Sequence, residues 1–159
     1  MPKTHNVHLE WYEWEMALGV GLRRNIRSIY DGLKPDFGAS AECWNAHMTG
    51  ACAEYAFAKF MHLPWDGSVN TGKVPDVAGI QVRSSTYASA HLRVRAADNP
   101  DHKFVLVTGG AFDQKAGIFV YTVRGWAFGH EGMHGRYRRP AEDEYWLPQD
   151  QLREMSEIQ

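Results

Sequence analysis

The sequence is short of the features that place a protein quickly. It has two cysteines in 159 residues. Cys43 and Cys52 form no C-x-x-C pair and have no histidine at zinc-finger spacing. A disulfide scaffold does not suit a chain of this size, and both read as reduced thiols of a cytoplasmic protein. No apolar run approaches the roughly 20 residues of a membrane span, and the first residues lack a signal-peptide core. The expectation is a soluble chain with no membrane partner. An excess of one charge is also missing: 17 Lys and Arg stand against 19 Asp and Glu, a net charge of −2. The molecule is not a polycation, so any nucleic-acid contact must come from local patches. There is no internal repeat, low-complexity tract or linker, and no G-x-G-x-x-G or P-loop. One domain spanning 1–159 follows, with one hydrophobic core.

Aromatic residues are plentiful: six Trp, seven Tyr and seven Phe. They can fill a core, and some can stack on a ligand or base. A helix is expected over 9–30, where Trp11, Trp14, Leu18, Leu22, Ile26 and Ile29 recur near helical spacing. Gly19 and Gly21 weaken it and mark a kink or close packing. A second helix, from 41 or 44 to 61, ends at Leu63-Pro64, because a residue before proline is pushed out of the helical region. Short strands are expected at 74–77, 80–84, 92–95, 104–108 and 118–123. The stretch 129–144 reads as polar and irregular. A closing helix over 148–157 would put Leu152 and Met155 on one face. Two helices, a strand meander and a last helix give an α/β (α+β) domain with its core at about 41–126.

Glu54 is the one charge in A-C-A-E-Y-A-F-A, residues 51–58. Its helical neighbours Gly50, Ala51, Phe57, Ala58 and Met61 are uncharged, so it lies on the face that a core claims. A buried carboxylate needs a cation, a metal or a proton; one at the core edge can instead reach water. The segment K-V-P-D-V-A-G-I-Q-V-R-S-S, residues 73–85, supplies candidate partners. A two-residue Ala78-Gly79 turn would set Val77 against Ile80 and Asp76 against Gln81. Strand alternation puts Gln81 and Arg83 on one face and Ile80 and Val82 on the other. Glu54, Asp76 and the Gln81 amide oxygen could ligate a hard divalent cation. Arg83 could hold a phosphate or stabilise charge developing on it. An acid, an amide and an arginine facing solvent is the plain alternative.

An acid on a helix, then "PD" and a "(D/E)-x-K"-like strand, resembles the PD-(D/E)xK nuclease superfamily. Glu54 matches the helix glutamate, Pro75-Asp76 the PD element, and Gln81-Val82-Arg83 the E-x-K position. The resemblance covers about 44–123. It implies a restriction-endonuclease-like fold with a central mixed sheet flanked by helices. It also implies a Mg²⁺- or Mn²⁺-dependent DNA nuclease with Glu54, Asp76, Gln81 and Arg83 at its centre. The chain is also similar to small phage and actinobacterial proteins that carry a "QVRS" strand, a "VLV" strand, a later "GW" and a terminal "L-P-x-x-x-L". That similarity implies a phage or mobile-element origin, hence the host cytoplasm. Two departures bear on activity. Gln81 replaces an acid, and Arg83 replaces a lysine that could pass a proton, which arginine does not. A catalytically silent nucleic-acid-binding or protein-interaction module on the same fold is the alternative.

Arginines cluster at Arg23, Arg24 and Arg27, at Arg93 and Arg95, and at Arg136, Arg138 and Arg139. The first cluster is expected on the exposed face of the first helix. The others are candidate DNA contacts, because arginines interleaved with a tyrosine suit phosphate contact and base stacking. His130 and His134 are four apart, but Gly129, Gly132 and Gly135 argue against a helix that would present them to zinc. A polar loop fits better. Cutting both strands of a duplex would be easier for a homodimer.

Overall fold

The structure is a computed structural model and describes residues 1–32, 41–69 and 75–159, with the side chains of 41–43 outside the description. Val74 and the Cys43 thiol, both named above, lie outside the described residues. The chain opens with β1 (His5–Leu9), which the helical spacing of the following residues conceals. Helices α1 (Trp11–Tyr30) and α2 (Ala41–Met61) come next. Strands β2 (Ile80–Ser85), β3 (Leu92–Arg95), β4 (Lys103–Asp113) and β5 (Ile118–Phe128) follow. A single helical turn, α3 (Gly129–Gly132), precedes β6 (Arg138–Arg139) and β7 (Glu144–Leu147).

A four-stranded sheet runs in the order β1-β5-β4-β2, and a three-stranded sheet in the order β3-β7-β6. The first is mixed, since β2 is parallel to β4 while the other neighbours are antiparallel. The fold is therefore α+β, a single domain whose mixed sheet is flanked by helices, with a second small sheet.

Strand alternation assigns the layers. In β4, Val105 and Val107 join Ala53, Ala56 and Phe57 of α2 with Ile80 and Val82 of β2. Phe104 and Leu106 point the other way, to Leu92, Val94, Leu147 and Leu152 beneath the small sheet. Helices cover one face of the sheet and the small sheet covers the other, which is why Phe104 to Val107 is an unbroken apolar run.

The face of α1 that meets α2 is small rather than large. Its buried residues include Ala17, Gly21, Asn25 and Ser28. A Cβ on Gly21 would lie 2.6 Å from the Met48 Cα, so Gly21 marks close backbone packing. Trp14 and Leu18 pack partly into the core, but Trp11, Leu22, Ile26 and Ile29 are exposed. The expected apolar stripe of this helix thus does not mark its buried face. The end of α2 is set by His62, at φ 54°, with Leu63 N–H donating to the Ala58 carbonyl, a left-handed helix stop two residues before Pro64.

The closing helix expected over 148–157 is corrected. Two 3₁₀ turns, Gln149–Gln151 and Met155–Glu157, stand there instead. Between them Arg153 exchanges both backbone hydrogen bonds with Trp126, at 2.7 and 3.1 Å, which pins the chain in an extended conformation. Leu152 and Met155 therefore enter different apolar clusters. The stretch 129–144, expected to be irregular, also holds α3 and β6, and β7 begins at its last residue.

Candidate functional site

Glu54 lies on α2 where its apolar neighbours placed it, 6% exposed. Its cation is Arg24 of α1, whose Nη1 and Nη2 donate to the two carboxylate oxygens at 2.6 and 2.7 Å. Arg24 Nε donates to the Ser68 carbonyl at 2.8 Å, and Trp65 Nε1 donates to Glu54 at 3.3 Å. Arg24 is thus turned into the protein, which corrects its expected place on the exposed face of the helix. The signal was available: a lone acid on an apolar helix face asks for a cation, and arginine makes a bidentate pair.

The Ala78-Gly79 turn forms as the sequence suggests. Val77 and Ile80 exchange backbone hydrogen bonds of 3.1 and 2.8 Å, and both turn residues have positive φ, 47° and 84°, as a type I′ turn requires. Beyond Val77 the strand pairing stops. The Asp76 carboxylate instead accepts the Val82 N–H at 2.7 Å, satisfying the free edge of β2. Burial, and then the nearby charge of Glu54, push the Asp76 carboxyl up to about 6; Arg83 and Arg24 pull the other way. Glu54, Arg24 and Asp76 therefore form one electrostatic cluster.

Gln81 and Arg83 belong to the other side of β2. Their register partners on β4 are Phe104 and Leu106, which face the small sheet, whereas Ile80 and Val82 face α2. The Arg83 guanidinium lies 5.0 Å from the Phe104 ring centre. It donates to Asp98 at 2.7 Å and to the Arg93 carbonyl at 3.2 Å, joining β2 to β3. Arg83 thus reaches Asp76 by its charge, while its hydrogen bonds are made elsewhere.

The structure does not bring Glu54, Asp76 and Gln81 together on one face. Both Glu54 oxygens carry the Arg24 guanidinium, and the Gln81 side chain leaves the opposite face of β2. No group of three or more His, Cys, Asp or Glu is placed to hold a metal among the described residues. The histidine pair fares no better. His130 Nδ1 lies 3.1 Å from the Pro100 carbonyl, and His134 Nδ1 accepts from Arg136 N–H at 3.3 Å. Gly129 and Gly132 are needed for packing: a Cβ would meet the Asn99 carbonyl oxygen at 2.7 Å and Val94 at 2.9 Å.

The small sheet brings together arginines that are distant in sequence. Leu92 and Val94 point inward, so Arg93 and Arg95 point outward. Arg93 pairs across the sheet with Trp146, and Arg95 with Glu144; Arg139 also pairs with Glu144. Arg93, Arg95, Arg139, Trp146 and Glu144 therefore share the outer face. The Arg93 and Arg139 guanidinium carbons stand 5.9 and 5.3 Å from the Trp146 ring centre. Glu144 accepts from Arg93 at 2.8 and 3.0 Å and from Trp146 Nε1 at 3.1 Å. Desolvation opposes its ionisation, but Arg93 and Trp146 outweigh it and lower its pKa. It holds Arg93 in place beside the ring. Arg138, paired with Asp143, lies at the next position of β6 and so on the opposite face. Arg136 sits on the preceding 3₁₀ turn, 4.6 Å from the Tyr137 ring centre. Trp146 was the residue that sequence reasoning missed, since nothing in its neighbourhood marked β7 as a strand beside β3. Comparison with protein families, curated proteins and solved structures returns no match for this chain.

Proposed function

We propose that this protein is a nucleic-acid-binding module that contacts DNA through the outer face of the β3-β7-β6 sheet. The observation that carries this reading is the register that gathers Arg93, Arg95 and Arg139 around Trp146. Arg93, Arg95 and Arg139 concentrate guanidinium groups on one small face of a chain whose net charge is −2. Guanidinium groups suit phosphate oxygens, and an aromatic ring between them can stack on an unpaired base. The Arg24–Glu54 pair supports a silent module, because a guanidinium fills the place where a cation would be needed.

The test is fluorescence anisotropy with duplex and single-stranded DNA over a salt series. Binding should weaken linearly in log–log form, with a slope of about −0.9 per phosphate neutralised on duplex. Replacing Arg93, Arg95 and Arg139 together by Gln should abolish it without unfolding the protein. Binding that ignores those changes removes the face from consideration.

A second reading, metal-dependent hydrolysis of phosphodiesters at Glu54 and Asp76, is favoured by one observation: the two carboxylates are electrostatically coupled. It requires Arg24 to release Glu54. Supercoiled plasmid nicked in Mg²⁺ or Mn²⁺, with nicking lost in chelator and in Asp76→Asn, would establish this reading. Intact plasmid under all conditions leaves binding alone.

A further inference from the structure

Helix α1 shows solvent an apolar face that nothing among the described residues covers. Trp11, Tyr12, Met16, Leu22, Ile26 and Ile29 are all 42% or more exposed. Placed at 100° per residue, they fall within less than half a turn of the helix circumference. The face that packs on α2 is the small one, so the larger apolar side chains are turned outward. Aromatic side chains offer up to about 150–250 Å² each. The six together therefore present several hundred Å² per copy, the scale that one partner contributes to a standard interface. A patch of this size on a soluble chain marks an interaction surface.

Two further observations say what fits it. Gly19 lies within the same arc, and a Cβ there would meet nothing within 4 Å. Gly21 is required by Met48, but no contact of the described chain requires Gly19. A mid-helix glycine costs about 1 kcal/mol against alanine, and on an open face it lets another backbone come close. The exposed charges are also divided along the helix. Within the apolar arc Glu15 lies toward the N-terminal end and Arg23 in the C-terminal half, while Arg27, beyond the arc, is paired with Asp31 at 2.9 Å. Glu15 and Arg23 make no ion pair among the described residues.

We propose that α1 is the interface of a two-fold symmetric homodimer, with the helix of one copy packed antiparallel on that of the other. Antiparallel packing sets the acidic end of each helix beside the basic half of its partner, whereas parallel packing sets like beside like. It also opposes the helix dipoles favourably. A symmetric pair uses the same patch twice and closes, as isologous interfaces do. The interface lies on the helical layer, across the four-stranded sheet from the Arg93–Trp146 face, so each copy keeps that face available.

Sedimentation velocity over a concentration series tests this on the intact chain. Wild type should sediment as a dimer at micromolar concentration, and Ile26→Glu should sediment as a monomer. Ile26 is exposed, so circular dichroism should be unchanged and melting should fall only by the concentration-dependent stabilisation that dimerisation supplies; Tyr12→Glu on the same face gives a second reading. Glu15→Arg and Arg23→Glu should each weaken the dimer by about three- to tenfold, since each exposed contact occurs twice in the interface. The double variant Glu15→Arg/Arg23→Glu should recover most of the loss. A wild type that remains monomeric overturns the proposal. So does a dimer that ignores Ile26→Glu and Tyr12→Glu, or one whose double variant is no better than the singles.

Discussion

Arg24–Glu54 and Arg93–Glu144 are the same pair of residue types in two settings. Both are bidentate, at 2.6 and 2.7 Å in the first and 2.8 and 3.0 Å in the second. Both glutamates are nearly covered. The arginines differ: the Arg24 side chain is 15% exposed and that of Arg93 is 47% exposed. Arg24 is enclosed between two helices, and its Nε is also engaged, by Ser68. Arg93 lies on an open sheet beside Trp146. Burial of the cation decides whether the pair is internal structure or a surface that can meet a phosphate. Sequence treats the two arginines alike, as members of basic clusters.

Removing Glu54 should separate the settings most. Glu54→Ala leaves the Arg24 charge enclosed without a partner, which costs about 3–5 kcal/mol. Urea unfolding should show the unfolding free energy fall by that amount and the midpoint fall in proportion, with the m-value unchanged. Replacing both members by apolar residues, Arg24→Met with Glu54→Leu, should recover most of the stability, because the desolvation of both charges is removed together. A loss below about 1 kcal/mol in Glu54→Ala would mean that the pair behaves as a solvated one, and the contrast with Arg93–Glu144 would disappear.

Asp76 gives a smaller effect of opposite sign. Its carboxyl is raised to about 6 by burial and by Glu54, above the usual unfolded value of about 3.9. The folded state then binds more protons than the unfolded state between those values. Stability from this group is full below about pH 4 and is lost as pH rises through about 6. Asp76→Asn keeps an oxygen for the Val82 N–H and removes the charge. At pH 7–8 it should be more stable than wild type by about 1–3 kcal/mol, and at pH 4 the difference should vanish. Melts of both proteins across that range check it. A destabilised variant at pH 8 would make the ionised carboxylate a structural requirement of the β2 edge.

The elements with strong local signals were legible. The apolar run at Phe104–Val107, the Ala78-Gly79 turn and the limits of α2 all follow from patterning, turn chemistry or a helix stop. Glu54 was legible as a buried acid because its helical neighbours are apolar. What sequence does not carry is the partner across space. Arg24 meets Glu54 only because Gly21 lets α1 approach α2, and nothing local states which arginine of three turns inward. The face of β2 that Gln81 and Arg83 share was predicted from alternation. Which layer that face meets depends on β4 running parallel beside β2, a long-range pairing. The terminal helix failed for a similar reason: Leu152 and Met155 fit a helical face, but the Trp126–Arg153 bridge holds the backbone extended. The apolar stripe of α1 gives the helix but not its buried face, because periodicity does not say which side is inside.

The outer-face arginines should give the smallest change in stability and a clear change in binding. Arg139 is exposed and its guanidinium touches only the Trp146 ring among the contacts described. Arg139→Ala should leave the melting temperature unchanged. Arg93→Ala removes a partner of Glu144, yet Trp146 Nε1 still donates to that carboxylate, so the cost should be at most about 1 kcal/mol, typical of a partly exposed pair. If each guanidinium neutralises one phosphate, each variant should lower the magnitude of the salt slope of DNA binding by about 1, uniformly across DNA sequences. The two slopes are the decisive quantities, since stability barely moves. A slope lowered by Arg93→Ala but not by Arg139→Ala would place DNA on the β3 side of the sheet alone. Slopes unchanged in both would make the Arg93–Glu144 pair structural like Arg24–Glu54, despite its exposure.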